Sequence, residues 1–395
     1  LREALRARRN WTRTWKAGSP DERPCVLIHV ASYGEFEGVR PLIERLVERR
    51  IRVAVSFGSP SARRAVEETP GLWAYGYSPL DYLHQQLRLL GNLGPALVLI
   101  AKHDFWPNMI RAGAMLSIPA ALINANFHSA TKRRLPLVRA FHRSFMKYIG
   151  YVWTVSEDDA RRVEPLLSAR TKLAAVGDTR FDRVRRRADE GAARFKGLRK
   201  ALEPGRAIVA GSSWPPGEKI VWEAYRRLKH RWGDLRLVVA PHEPSAEALQ
   251  RNRAAARTLG MTIRLLSEWQ GGAIGEDVLL VDRVGVLAGL YAVGWAAYVG
   301  GGFGHGVHSV IEPAAHGVPV AFGPKHRVSH EAGLLIGAGG GFVVRTAEDL
   351  ERLWGGWLED PERRRRAADA AAEVVSANEG AADRLMELLT PLLEG

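Results

Sequence analysis

Short, largely apolar runs alternate with helical patterns along most of the chain. In the first half the runs are CVLIHVA (25–31), IRVAVSF (51–57), ALVLIA (96–101), AALINAN (120–126), YVWTVS (151–156) and KLAAVGD (172–178). In the second half they are RAIVAGS (206–212), LRLVVAP (235–241), DVLLVD (277–282), AAYVGGG (296–302), VPVAFGP (318–324) and GFVV (341–344). Runs that are apolar throughout, rather than at alternate positions, predict parallel strands covered on both faces. Their alternation with helical stretches such as VRPLIERLVERR predicts βαβ units in doubly wound α/β sheets.

The pattern breaks once. After Asp182 the chain reads RVRRRADEGAARFKGLRKALEPG, charged and without strand character, and a new strand begins at Arg206. This predicts an N-terminal domain over 1–185, a linker over 186–205 and a C-terminal domain over 206–375. A closing helix over 376–395 follows.

Open α/β sheets bind ligands outside the carboxyl ends of their strands. Those ends carry Ser32 to Glu35, Lys102 to Asp104, Asn124, Asn126, Ser156, Glu157, Asp178 and Arg180 in the first half. The second half adds Ser212, Ser213, His242, Gly300 to Gly302 and Lys325. With two domains, both sets are able to face one cleft.

Net charge of +14 and a sequence pI near 10.2 favour anionic partners: nucleic acid, anionic lipid or a phosphorylated substrate. The lone Cys25 excludes a disulfide framework within one chain and reads as a small core hydrophobe. No apolar run reaches the ~18–20 residues of a membrane span. The opening LREALRARRNWTRTWKAG suits either a helix on an anionic membrane surface or a solvated helix packed by Trp11 and Trp15. The chain begins at Leu1 rather than Met, so a preceding piece is expected.

Several local patterns carry candidate chemistry. In GGGFGHGVHSVIEPAAHGVPV (300–320), a strand ends in three glycines and a helix follows. Gly301 and Gly302 let the backbone approach a ligand, and the helix N-terminus suits phosphate. Glu312, in the first turn, is placed either to take both hydroxyls of a ribose or to close a capping box with Ser309. In AGSSWP, Ser212 and Ser213 offer hydroxyls to a phosphate or an N-cap to the next helix. His242 ends a strand. His305-x2-His308 and His326-x3-His330 have ligand-like spacing, yet loops rich in Gly or Pro argue against a metal. Glu35 stands out in HVASYGEFEG: a carboxylate at a strand end and a helix start, able to act as a base. The helix end favours its charged form and burial opposes it.

Taken in order, HVASYGEFEGVRPLIERL, HDFWPN, VGDTRFDRV, GSSW, APHEP and GGGFGHGVHSVIEPAAHGVPVAFGP resemble the Kdo transferases of lipopolysaccharide synthesis (3-deoxy-D-manno-octulosonic acid transferases). The resemblance spans about residues 25 to 345 and is nearest the Bacteroidetes-type branch. It implies a GT-B glycosyltransferase fold, two Rossmann-like domains facing a cleft. It implies inverting, metal-independent transfer of Kdo from CMP-Kdo to a lipid A precursor such as lipid IVA. The implied place is the cytoplasmic face of the inner membrane, peripheral or anchored by a preceding segment. CMP-Kdo is then a substrate, and no cofactor or nucleic acid is implied.

By the same resemblance Glu35 is the general base; Ser32, Gly34, Asp104, Asn126 and Arg180, at strand ends of the same half, are the acceptor-side candidates. Glu312 binds the nucleotide ribose, and Ser212, Ser213, His242, Gly301, Gly302, His308 and Lys325 complete the donor side. Arg6, Arg8 and Arg9 are candidates for acceptor phosphates and anionic lipid. This chain has His308-Ser309 where the family has His-Asn, and Asp104-Phe105-Trp106 where it has Glu-Phe-Trp or Glu-Leu-Trp. The alternatives are a GT-B enzyme with another donor, such as a UDP-sugar transferase or epimerase, and a non-enzymatic basic module.

Overall fold

The computed structural model describes residues 2–394, apart from Pro20, His103, Asp104, 128–135, Pro204, His305 and Val328. The chain divides into two compact units, one made of Leu1–Arg183 with Asn378–Gly395 and the other of Val184–Ala377.

The first unit is built on eight strands: β1 Lys16–Ala17, β2 Cys25–Val30, β3 Arg52–Phe57, β4 Ala74–Tyr77, β5 Leu97–Ala101, β6 Ala120–Ala125, β7 Tyr151–Thr154 and β8 Lys172–Ala175. Their order is β1-β4-β3-β2-β5-β6-β7-β8, and every pairing is parallel except β1 with β4. The second unit has β9 Arg206–Ser213, β10 Leu235–Pro241, β11 Ile263–Leu265, β12 Val278–Leu280, β13 Ala296–Val299, β14 Val320–Phe322 and β15 Gly341–Val343. Its order is β11-β12-β10-β9-β13-β14-β15, all parallel.

The twelve predicted strands are all present. The sequence pattern misses β1, β4 and β11, because two or three residues at a sheet edge and the mixed AYGY carry no apolar run. Two-sided burial is complete in the central strands: every residue of β2, β5 and β6 is buried. Each buried Leu, Ile or Val there contributes about 1.5–3 kcal/mol. Cys25 belongs to this core, and burial pushes its thiol up to about 11.

The division of the chain differs from the sequence expectation in two ways. Residues 186–205 are no linker: the helices Thr179–Arg194 and Lys196–Leu202 occupy them, and Ala188, Phe195 and Leu198 bury an apolar stripe beneath the charge. Gly191 packs so closely on Gly289 that a Cβ would stand 2.2 Å from its Cα. The closing helix, Ala381–Leu393, also packs into the first unit, adding Leu385, Met386 and Leu389 to its core.

At the amino end of the chain, Trp11 is buried, and Trp15 lies against Gly76 and donates to the Tyr77 carbonyl at 3.0 Å. The helix Arg2–Arg9 is thus followed by residues packed on the unit's edge. Among the described residues no helix is long and apolar enough to cross a membrane.

The return of the last helix depends on a borrowed cap. Its own N-cap is Gly380, with no side chain to offer, and the Asp182 carboxylate accepts from the Gly380 and Ala382 N–H groups at 2.5 and 2.9 Å. Asp182→Ala is expected to cost about 1–2 kcal/mol of stability and to speed hydrogen exchange in Ala381–Leu393. Unchanged melting and exchange would show that the cap is dispensable.

Candidate active site

In a doubly wound sheet the ligand crevice lies where the strand order reverses. In the first unit that is between β2 and β5, because β3 and β4 extend one way and β6 to β8 the other. In the second unit it is between β9 and β13. The candidate residues gather at these two points.

In the first unit β2 ends at Val30, and Ser32 takes extended backbone as N-cap of the helix Tyr33–Glu48. Its hydroxyl accepts from the Glu35 N–H at 3.4 Å, while Glu35 Oε2 accepts from the Ala31 N–H at 2.6 Å. The sequence alternatives of base and cap therefore coexist: the cap fixes the half-buried carboxylate at the switch point. Gly34 is exposed, and a Cβ there would meet nothing within 4 Å. No close packing in the chain requires glycine at this position, and its small size keeps the approach to Glu35 open.

On the strand that leads to Glu35, His29 is fully buried, its Nδ1 2.8 Å from Ser56 Oγ and its ring edge-on to Trp106 at 4.7 Å. The other face of this group is closed by Arg8. Its guanidinium stands 4.6 Å from the Trp106 centroid and donates to the Ser78 and Pro79 carbonyls. Arg8 is thus turned onto the protein, unlike Arg6 and Arg9, which are exposed.

The neighbouring strand ends are equally ordered. Asn124, left-handed at φ 50°, donates to Thr179 Oγ1 and accepts from the Thr179 N–H, tying β6 to the helix Thr179–Arg194. Lys102 is left-handed as well, at φ 57°. Asp178 is buried. Burial pushes its carboxyl up, but Arg180, bonded to it at 2.6 to 3.1 Å, and the more distant Lys102 hold it below the usual range. Arg180 is therefore neutralised within the unit. Asn126 Oδ1 is buried without a hydrogen-bond partner. Asp104 lies outside the described residues.

In the second unit Ser213 is turned inward. Its hydroxyl donates to the buried Glu218 at 2.9 Å, and Glu218 also receives Arg251 and Asn252. The serines do not cap the next helix, whose N-cap is Trp214 with Pro215 at the first turn. Ser212 is left-handed at φ 48°. Trp214 Nε1 donates to His308 Nε2 at 2.9 Å, and the two rings are near coplanar at 9°. His242, exposed, stacks over both at 4.9 and 4.3 Å. Because His308 Nε2 accepts, its proton belongs on Nδ1 and the ring is neutral. This three-ring shelf is legible in the sequence only as scattered single residues.

The glycines have a packing role beside the ligand approach the sequence suggests. A Cβ at Gly300 would stand 2.0 Å from the Ser212 carbonyl oxygen, and one at Gly302 2.6 Å from the Gly323 nitrogen. Gly301, at φ 89°, is pressed against Gly306 and His308. They serve backbone-on-backbone packing inside the unit. Lys325 clips the same loop, its ammonium donating to the Gly304 carbonyl at 3.1 Å.

The helix that follows is only Ile311–Ala315, capped by Val310, so its dipole is small and the Ser309–Glu312 capping box does not form. Glu312 instead lies 3.8 Å from Arg187. The long helix Pro215–Arg231 offers the stronger dipole at this crevice. Among the described residues, no group of three or more His, Cys, Asp or Glu side chains is placed to hold a metal, and His305 lies outside them.

A family profile described as 3-deoxy-D-manno-octulosonic-acid transferase (kdotransferase) matches residues 3–183. The 3-deoxy-D-manno-octulosonic acid transferase of Haemophilus influenzae is 27% identical over 377 residues, covering 93% of this chain and 87% of the relative. That of Aquifex aeolicus is 27% identical over 327 residues, covering 82% and 83%. Among solved structures, UDP-GlcNAc 2-epimerase of Neisseria meningitidis superposes with TM-score 0.67 at 15% identity, covering 93% of this chain and all of that one. A glycosyltransferase of Rickettsia africae gives 0.64 at 13%, covering 95% and 100%. These two likenesses concern the fold, which is of the GT-B type.

His29 gives the first unit a pH signature. Burial, with the positive charge of Arg8, lowers its pKa to about 3, against ~6.5 in the unfolded chain. Between those values only the unfolded chain binds the proton, so stability rises with pH across the window and is lost as pH falls. The slope approaches ~1.4 kcal/mol per pH unit. Melting from about pH 7 down to about pH 4 is expected to show this slope, and His29→Gln to flatten it. An equal slope in the variant would contradict the buried neutral imidazole.

Proposed function

We propose that this chain, which belongs to the 3-deoxy-D-manno-octulosonic acid transferase family, transfers Kdo from CMP-Kdo to a sugar hydroxyl of a lipid A precursor. The observation that carries the mechanism is Glu35, fixed by the Ala31 N–H at the switch point of the first sheet, beside the open space at Gly34.

The step is a direct displacement. Glu35 takes the proton of the acceptor hydroxyl as its oxygen bonds to the anomeric carbon of Kdo. The bond from that carbon to the CMP phosphate oxygen breaks, and its electron pair leaves with CMP, inverting the centre. Proton removal by a positioned carboxylate contributes about 10²–10⁴ in rate. The donor contacts belong to the second unit. Glu312 receives the ribose, the backbone around Ser212 and Gly301 receives the phosphate, and the N-terminus of Pro215–Arg231 favours its charge. The shelf of Trp214, His242 and His308 supplies a flat wall beside them. Each step is carried by protein groups and substrates, without a metal.

The proposed acceptor is acylated and anionic, which sets the reaction at a membrane surface, here the cytoplasmic face of the inner membrane. The +14 net charge supports that setting.

Glu35→Gln is the clean test, because the amide still accepts from the Ala31 N–H and keeps the cap while losing the base. With CMP-Kdo as donor, a lipid A precursor as acceptor and product read by mass, kcat is expected to fall by about 10²–10⁴ with unchanged melting. A folded variant with full kcat would remove Glu35 from the mechanism.

A further inference from the structure

The amino ends of β3 and β4, at the opposite end of the first sheet from Glu35, frame a cavity of about 600 Å³. Four cationic residues line it, Lys16, Arg23, Arg50 and Arg52, and Trp73 and Tyr75 form part of its wall. The nearby carboxylate of Asp21 is taken: Arg23 holds it at 2.5 Å and Arg52 stands 3.5 Å away, its guanidinium also stacked on Trp73 at 4.5 Å. Lys16 and Arg50 have no ion-pair partner among the described residues. The Lys16 ammonium lies 5.7 Å from the Tyr75 ring centroid.

Arg50 carries a second, independent sign. It follows the helix Tyr33–Glu48 in left-handed backbone, at φ 59°. Its N–H donates to the Val47 carbonyl and the Ile51 N–H to the Leu46 carbonyl. This is the Schellman closure, whose left-handed position is usually glycine, because an L side chain is strained there. The fold alone would favour glycine, yet the chain keeps an exposed arginine, one of the residues lining the cavity, with no carboxylate partner among the described residues. A local rule broken without a structural return points to a ligand.

We infer that this cavity binds a phosphate oxyanion, held by Arg50 and Lys16 over the platform that Asp21 organises from Arg23 and Arg52. The inference stands apart from the transfer reaction, since the pocket lies at the other end of the sheet. Two sources share this chemistry, a soluble phosphate compound and the headgroup of an anionic lipid.

The experiment uses the full chain and the double variant Lys16→Ala/Arg50→Gly. The control Arg63→Ala/Arg64→Ala removes the same charge from the exposed helix Pro60–Glu67. Inorganic phosphate is titrated by calorimetry, and sedimentation is measured with phosphatidylcholine vesicles with and without phosphatidylglycerol. The expected result is that affinity falls at least about tenfold in the double variant and stays near wild type in the control. Because glycine relieves the strain, the Arg50→Gly single variant is expected to melt no lower than wild type. Phosphate binding lost in the double variant assigns a soluble ligand, and loss confined to phosphatidylglycerol vesicles assigns a headgroup. No binding of either probe, or equal loss in the control, overturns the site.

Discussion

A parallel strand buried on both faces has no side on which to carry polar chemistry, so the chemistry moves to its end. β2 makes the point: all of its residues from Cys25 to Val30 are buried, and the single polar one, His29, is tied through Nδ1 to Ser56. One residue past the strand the chain is free to place Ser32, Gly34 and Glu35. The same constraint acts on β9 and β13, whose ends carry Ser212, Trp214 and Gly300 to Gly302. The sheet order then decides which ends matter, because only where it reverses is there a crevice to receive a ligand.

Within the second unit, close backbone packing sets the shape of that crevice. The β13 loop touches Ser212 through Gly300 and Gly323 through Gly302, and elsewhere in the unit Gly191 meets Gly289. Glycine here is a matter of space between backbones, which leaves the loop little freedom. The left-handed Ser212 next to it and the left-handed Lys102 and Asn124 in the first unit are non-glycine residues held in costly conformations. Such strain persists where surrounding structure fixes it, and strand ends around binding crevices are where it collects.

The sequence pattern was enough to locate twelve of the strands, the two-unit plan and the place of Glu35 at a strand end, because two-sided burial writes itself as uninterrupted apolar runs. Three features escaped it for identifiable reasons. The stretch 186–205 reads as a linker because its charged residues outnumber the few apolar ones, among them Ala188, Phe195 and Leu198, that form the buried stripe. The return of Ala381–Leu393 to the first unit is a long-range contact, fixed by Asp182, 198 positions before Gly380, and by core residues more distant still in sequence. Ser213 looks like a ligand hydroxyl until Glu218 is seen to claim it, and the Trp214–His242–His308 shelf joins residues from three separate loops.

The central claim is that the reversal point of the second sheet is a CMP-sugar site. A crystal structure of the full chain with CMP tests it most directly. The account predicts the nucleotide at the carboxyl ends of β9 and β13, its ribose hydroxyls on Glu312 and its phosphate against the backbone of Ser212 and Gly301. CMP bound elsewhere on the unit, or a crevice that takes UDP and refuses CMP, would contradict it.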